Sequence, residues 1–200
     1  MVILIKAVIF DIGGVTIKEP MSHVYKAAEK KFGVSWERIK KEDEKLDPLT
    51  ETREVSSREY ISRLSKALKI SDTSSLRKVW VTEFKRAELN KGVVRIIERV
   101  KEMGFKVATI SNTIRLHESV HAKRGDYKFF DRVFLSTRLR MRKPEARIYF
   151  YAAKNLGVKP EECVFIDNMI ENVRSARKTG MKAILFKNSN QLGKDLKVYL

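Results

Sequence analysis

Hydrophobic residues follow two alternating patterns along the chain. Short apolar runs predict five β-strands: ILIKAVIF, FKVATI, DRVFLS, ECVFI and KAILF. Stretches between the later runs space their apolar residues three and four positions apart and lead into glycine, which predicts helices: GVVRIIERVKEMG, EARIYFYAAKNLG and IENVRSARKTG. Strands that alternate with such helices predict an α/β fold, with a mainly parallel sheet covered on both faces.

Residues 21–90 break this alternation, because they are polar, helical in spacing and without a strong strand candidate. Two segments there, SWERIKKEDEKL and SSREYISRLSKALKI, begin with serine, a residue typical of helix N-caps. We therefore predict a core domain made of residues 1–18 and 91–200, with a helical domain inserted at residues 19–90.

Polar side chains stand where three of the predicted strands end. Asp11 follows the first, Ser111 and Asn112 follow VATI, and Asp167 and Asn168 follow CVFI. Ligands of parallel sheets bind beyond the carboxyl ends of the strands, so these residues are predicted to meet in one pocket.

Two glycines and a lysine complete the predicted pocket. Gly13 and Gly14 have no β-carbon, so their backbone amides can approach an anion closely. Lys143 comes just before Pro144, which we expect at the first position of a helix, and would bring a fixed positive charge. Carboxylates, a lysine and an anion cradle together suit a phosphoryl group with a bound divalent cation.

The charge balance is strongly basic, with 42 Lys and Arg against 25 Asp and Glu, a formal net charge of +17. Such a field attracts anions of every kind. The basic residues are scattered among acids at helical spacing, which is typical of solvated helix faces, and no nucleic-acid-binding signature is present. We expect a small acidic substrate rather than nucleic acid as the partner.

Composition also bears on the setting of the protein. No run approaches the roughly 18 apolar residues of a membrane span, and Cys163 stands alone, which favours a packing role in a reducing, cytoplasmic compartment. The many Lys and Glu residues, beside a single Gln191, are typical of a heat-adapted protein.

Four motifs in order carry a family resemblance: VIFDIGGVT, ATISNT, RKPEARIY and VFIDNMIENVRSARKTGM. With them the chain resembles the haloacid dehalogenase-like hydrolase superfamily. SNTIRLH with LRMRKPEARIY resembles its α-D-glucose-1-phosphate phosphatase-like subgroup. The resemblance implies a Rossmann-like doubly wound core with an inserted helical cap domain, and it is loosest over residues 20–90.

The resemblance also implies roles for the pocket residues. Asp11 would attack phosphorus to form an aspartyl-phosphate and would bind Mg²⁺ together with the carbonyl of Gly13. Ser111, Asn112 and Lys143 would hold the phosphate of a small phosphorylated metabolite, with a sugar phosphate as one candidate. Motif four would supply metal ligands from Asp167 and Asn168.

Two positions depart from the pattern of the superfamily. Many of its phosphatases carry a second aspartate two residues after the nucleophile, as general acid and base, and here that position is Gly13. Asn168 replaces a second carboxylate in motif four, so its amide oxygen would bind Mg²⁺ with one charge fewer.

Alternative interpretations stay open at this stage. The chain could be a 2-haloacid dehalogenase, with which Tyr149 is compatible, or a relic that binds a phosphorylated ligand or nucleic acid without turnover. Ser111 and Asn112 could cap a helix that begins at Thr113. His117 and His121 have metal-ligand spacing, but without a third ligand we expect exposed or capping roles.

Overall fold

The computed structural model describes residues 4–18, 21–52 and 54–200. Its sheet has five strands, all parallel, in the order β3-β2-β1-β4-β5. The strands are β1 (Ala7–Phe10), β2 (Lys106–Ser111), β3 (Arg132–Leu135), β4 (Cys163–Asp167) and β5 (Lys182–Leu185). This sheet confirms the predicted α/β fold.

Ten α-helices are present in the described residues. Four lie between β1 and β2: α1 (Met21–Phe32), α2 (Trp36–Glu51), α3 (Ser57–Leu68) and α4 (Thr73–Lys85). The other six are α5 (Lys91–Glu102), α6 (Arg115–Arg124), α7 (Ser136–Leu139), α8 (Ala146–Leu156), α9 (Ile170–Lys178) and α10 (Ser189–Leu196). None of the described helices is both long and apolar enough to cross a membrane.

The sheet is buried on both faces, which explains why its strands read as continuous apolar runs. One face packs Ala7, Ile9 and Phe165 against helices α8 and α9. The other packs Val8 and Phe10 with residues of α5 and α10. Cys163 is fully buried in the first of these layers, as its predicted packing role requires.

The inserted helices α1–α4 form a separate apolar cluster around the fully buried Trp80, Tyr60 and Leu64. Residues of α6, among them Val120, belong to the same cluster. The division into a core at 1–18 and 91–200 and a cap at 19–90 remains a prediction, and its boundary at residues 19–20 lies outside the described residues.

Several predicted boundaries are wrong. β1 is shorter than the predicted run, since pairing in the sheet begins at Ala7. Pro144 precedes α8 by two residues, with Glu145 at the N-cap. Ser56 caps α3 by accepting a hydrogen bond from the Glu59 amide at 3.2 Å, whereas in the described residues the Ser35 side chain makes no cap bond to α2.

Candidate active site

The carboxyl edge of the sheet gathers the ends of β1, β2 and β4 into one cavity of about 460 Å³. Its walls include Asp11, Gly13, Ser111, Asn112, Lys143 and Asn168 from the core. The inserted helices close the opposite side with residues of α2 and α4. The predicted meeting of distant strand ends is therefore present in the structure.

Lys143 is the centre of the site. Its Nζ lies 2.7 Å from Oδ1 of Asp11 and 2.6 Å from Oδ2 of Asp167, and the side chain is almost fully buried. A buried ammonium between two carboxylates offsets charges that would otherwise be costly to remove from water. An ammonium has three donors, so one remains for a ligand.

The charges of the site shift one another's pKa values. Burial alone would lower the pKa of Lys143, but Asp11 and Asp167 outweigh it, so that pKa lies above its usual value and the lysine is charged. Burial raises the pKa of Asp11 to about 7, with Lys143 opposing the rise and Asp167 adding to it. The lysine thus favours the ionised form of Asp11, which a nucleophile needs.

Asn112 holds the backbone of Lys143. Its Nδ2 donates to the Lys143 carbonyl at 2.9 Å, and its Oδ1 accepts from the Lys143 amide at 2.8 Å. Sequence reasoning predicted that this amide binds phosphate, whereas the structure shows it positioning the lysine. Neither Ser111 nor Asn112 caps a helix, because α6 begins at Arg115 with Ile114 at its N-cap.

Asp167 lies behind the lysine rather than in the cavity. It is fully buried, and its carboxylate accepts hydrogen bonds from the Lys143 ammonium, the Met169 amide at 2.8 Å and the Asn172 side chain at 3.1 Å. Both carboxylate oxygens of Asp167, which the sequence predicts as a metal ligand, are therefore already engaged by hydrogen-bond donors.

Asn168 faces the cavity instead, and its Oδ1 is buried without a hydrogen-bond partner among the described residues. An orphaned buried oxygen is costly unless a ligand satisfies it. Mg²⁺ prefers oxygen ligands, and Asp11 and Gly13 line the same cavity. The donor set of Asp11, the Gly13 carbonyl and Asn168 thus fits a magnesium ion.

The backbone amide of Gly14 does not have the predicted role of binding an anion. Its N–H donates to the Ile17 carbonyl at 2.8 Å within the turn after β1. Its φ is +77°, and a β-carbon there would stand 2.4 Å from Nδ2 of Asn168. Gly14 is therefore needed for the turn and for the close approach of Asn168, while Gly13 faces the cavity.

The sequence suggested exposed or capping roles for the two histidines, and this prediction is wrong. Nδ1 of the buried His121 lies 2.9 Å from Oδ2 of Asp126, and the His117 ring stacks on Phe84 with 3.9 Å between ring centroids. Both line the cavity because α6 packs against α4. The described residues hold no group of three or more His, Cys, Asp or Glu that could bind a metal.

Sequence reasoning missed the part of the site that comes from α2. Asp43, Asp47 and Glu51 line the cavity from that helix, and Glu51 binds Arg142 with 2.7 Å between Oε2 and Nε. Their spacing of four residues was the available signal, since it places all three on one helix face. Tyr149, by contrast, is fully buried, and its hydroxyl donates to the Asn172 carbonyl at 3.1 Å.

Comparison with known proteins agrees with this architecture. A family model described as haloacid dehalogenase-like hydrolase matches residues 5–180. A curated relative, the glyceraldehyde 3-phosphate phosphatase of Methanopyrus kandleri, is 30% identical over 105 residues, which are 52% of this chain and 45% of the relative. The match thus spans less than half of that relative's length.

Other similar proteins match over nearly the whole chain. The enolase-phosphatase E1 of Aquifex aeolicus is 27% identical over 201 residues, covering 90% of this chain and 89% of the relative. The structure of a HAD family enzyme from Bacteroides thetaiotaomicron, a magnesium complex, superposes with a TM-score of 0.76 at 22% identity, covering 92% of this chain and 94% of that one.

Proposed function

The chain belongs to the haloacid dehalogenase-like hydrolases, and from that premise we propose that it is a magnesium-dependent phosphatase of a small phosphorylated metabolite. The observation that carries the proposal is the buried contact of Lys143 with both Asp11 and Asp167 at the edge of the cavity. This contact places an ionisable carboxylate, a fixed cation and an open cavity together, as phosphoryl transfer requires.

In the proposed reaction, an Oδ atom of Asp11 attacks phosphorus, and the bond from phosphorus to the leaving oxygen breaks. Gly13 carries no carboxyl, so the leaving oxygen takes its proton from water in the cavity. Water then attacks the phosphorus of the aspartyl-phosphate and gives its proton to the hydroxide that the first step left, while the bond from phosphorus to the Asp11 oxygen breaks, which releases inorganic phosphate and restores Asp11.

Each neighbouring residue contributes to one step of this proposed reaction. The free donor of Lys143 and the Ser111 hydroxyl bind the phosphoryl oxygens, and Asn112 keeps Lys143 in place through its backbone. Asp11, the Gly13 carbonyl and Asn168 would hold the magnesium ion, which supplies charge neutralisation for the approach of an anionic nucleophile to an anionic ester.

Similar proteins support a phosphatase activity in general but not a particular substrate. The curated proteins similar to this chain include named phosphatases, and the similar structure from Bacteroides thetaiotaomicron contains magnesium. A sugar phosphate as the substrate, and membership of the glucose-1-phosphate phosphatase-like subgroup, remain predictions.

The test is phosphate release from a panel of phosphomonoesters, with and without added Mg²⁺. Asp11→Asn is expected to lower the rate at least about 1,000-fold, because the amide is a poor nucleophile. Asp72→Asn is the matched control, since Asp72 is an exposed N-cap of α4 and asparagine caps equally well.

The same panel separates the alternatives. Halide release from 2-haloacids without any response to Mg²⁺ would replace the phosphatase proposal with attack on carbon. Binding of an ester without release of phosphate would replace it with a non-catalytic role. Tyr149, which the sequence linked to dehalogenase chemistry, is fully buried and is absent from the cavity wall.

A further inference from the structure

An acidic wall faces the phosphate-binding end of the cavity. It consists of Asp43, Asp47 and Glu51, spaced one turn apart on α2 and all lining the cavity. In a chain with 42 basic and 25 acidic side chains, a wall of this sign is unexpected, and it would repel a phosphate dianion approaching on its own. The wall therefore indicates that a part of the ligand other than its phosphate contacts these carboxylates.

Two of the three carboxylates are already satisfied. Asp43 accepts hydrogen bonds from the hydroxyls of Tyr25 and Tyr60, the former at 2.6 Å. Glu51 forms its ion pair with Arg142. Asp47, by contrast, forms neither a hydrogen bond nor an ion pair with any described residue, although it is partly buried.

The cation that acts on Asp47, Arg142, already forms an ion pair with Glu51. Burial raises the pKa of its carboxyl well above the usual range, Asp43 and Glu51 add to the rise, and Arg142 opposes it. A carboxyl in such a position gains the most from a positively charged partner.

A second polar group without a partner lines the same cavity. Nε2 of His117 is buried and has no hydrogen-bond partner in the described part of the chain. Burial lowers the pKa of His117 to about 3, with His121 adding to the effect, so the ring is neutral and adds no positive charge. An unsatisfied buried polar atom in the cavity lining indicates that a ligand with hydrogen-bonding groups binds there.

We infer that Asp47 receives an ammonium group on the leaving group of the substrate, so that the enzyme acts on phosphate monoesters of amines such as amino alcohols or amino sugars. This inference rests on the proposed phosphatase function. It assigns the phosphate to the Lys143 end of the cavity and the ammonium to the α2 wall.

The dimensions agree with a small ligand of this kind. Four residues along a helix advance about 6 Å, so Asp47 lies about one turn beyond the Glu51–Arg142 pair. A cavity of about 460 Å³ is of the size that holds a small metabolite. A hydroxyl could accept or donate a hydrogen bond at Asp47, but only an ammonium supplies the positive charge that stabilises the ionised carboxylate.

The experiment compares matched esters. Ethanolamine phosphate is paired with ethylene glycol monophosphate, and glucosamine 6-phosphate with glucose 6-phosphate, so that each pair differs only in an ammonium in place of a hydroxyl. We measure kcat/KM for wild type, Asp47→Asn and Glu44→Gln. Glu44 is the control because it lies on the exposed side of the same helix.

Wild type and Glu44→Gln are expected to prefer each ammonium ester at least about tenfold, the effect of one charge-assisted hydrogen bond. Asp47→Asn is expected to reduce that ratio below about threefold, since it retains the shape but loses the charge. Equal kcat/KM values within the pairs in wild type, or an undiminished ratio in Asp47→Asn, would overturn the inference while leaving the phosphatase proposal intact.

Calorimetry with the Asp11→Asn protein separates the two proposals when no ester is hydrolysed. Absence of phosphate release from every ester contradicts the proposed function. In that case, about tenfold tighter binding of ethanolamine phosphate than of ethylene glycol monophosphate supports the role of Asp47, and equal or absent binding overturns it.

Discussion

At the scale of single residues, the position of Lys143 depends on Asn112. The two hydrogen bonds between them, at 2.8 and 2.9 Å, fix the lysine backbone from a neighbouring strand end. Asn112→Ala is expected to lower kcat about 10- to 100-fold, because small displacements of a catalytic group are costly, while KM changes less. Steady-state kinetics will measure this split.

Asn155→Ala is the control for that substitution. Asn155 is exposed on α8 and donates to a backbone carbonyl at 2.8 Å, so its loss removes an amide far from the cavity. A variant of Asn112 with wild-type kcat would show that the lysine holds its position without this contact.

Asn168 is the neutral member of the proposed magnesium ligands. Asn168→Asp replaces the orphaned amide oxygen with a carboxylate, so Mg²⁺ binding is expected to tighten about tenfold or more through the added negative charge. Isothermal titration calorimetry with Mg²⁺ gives the affinity independently of turnover. Unchanged affinity would mean that this oxygen does not contact the ion.

The sequence predicted which residues lie close together, but not which contacts each of them makes. Parallel pairing brings Asp11 and Asp167 to one edge, and the expected helix start after Lys143 brings the lysine there, as found. The engagement of Asp167 by donors and the internal hydrogen bond of Gly14 could not be predicted, because they depend on side-chain directions and turn geometry that only the folded chain defines.

At the scale of elements, helix α2 reaches further than its pattern indicates. The sequence predicts a helix over SWERIKKEDEKL, but α2 continues through Pro48 to Glu51. A proline inside a helix removes one backbone hydrogen bond and normally marks an end. Here the extra turn carries Glu51 to its ion pair with Arg142, a tertiary contact that local propensity does not contain.

Helix α10 was missed altogether because it is short. Its signal was present in Asn188 followed three residues later by Gln191, since Asn188 Oδ1 accepts from the Gln191 amide at 2.9 Å. The strands, by contrast, were all predicted within a few residues, because strands buried on both faces show as uninterrupted apolar runs.

The helices α1, α2 and α3 are joined by the contacts of Tyr25 and Tyr60 with Asp43, which give a pH-dependent prediction. Burial raises the pKa of Asp43 to about 6, opposed by hydrogen bonds from the two tyrosines. A folded-state pKa above the unfolded value means that protonation of Asp43 favours folding. That stability is fully present below about pH 4 and is lost as the pH rises through 6.

Tyr60→Phe removes a donor to the ionised carboxylate and is expected to destabilise the fold by about 1–3 kcal/mol at pH 8 and by less at pH 5. Chemical denaturation at both pH values will measure the difference. Tyr151→Phe, at a more exposed ring, should show no such pH dependence. An equal loss at pH 5 and pH 8 would mean that Asp43 does not ionise in this range.

At the scale of the whole molecule, the net charge of +17 acts on every anionic substrate before it reaches the site. We expect kcat/KM for phosphate esters to fall about threefold or more between 0.05 and 0.5 M KCl, because salt screens this attraction. kcat at saturating substrate should change much less. An invariant kcat/KM would show that the surface charge has no part in substrate capture.

The direction in which the acidic wall faces is a feature of the whole molecule that the sequence could not reveal. Helical spacing places Asp43, Asp47 and Glu51 on one face, but the direction of that face depends on how α2 packs against α1, α3 and the loop that carries Arg142. The structure shows that this face lines the cavity.

The central claim is that Asp11 receives the phosphoryl group. The most direct measurement is an acid-quenched reaction with a substrate labelled in its phosphoryl group, followed by mass spectrometry of the peptide that contains Asp11. The account predicts a phosphorylated Asp11 that is absent from the Asp11→Asn protein. Phosphate release from wild type with no label on Asp11, or equal release from Asp11→Asn, would contradict it.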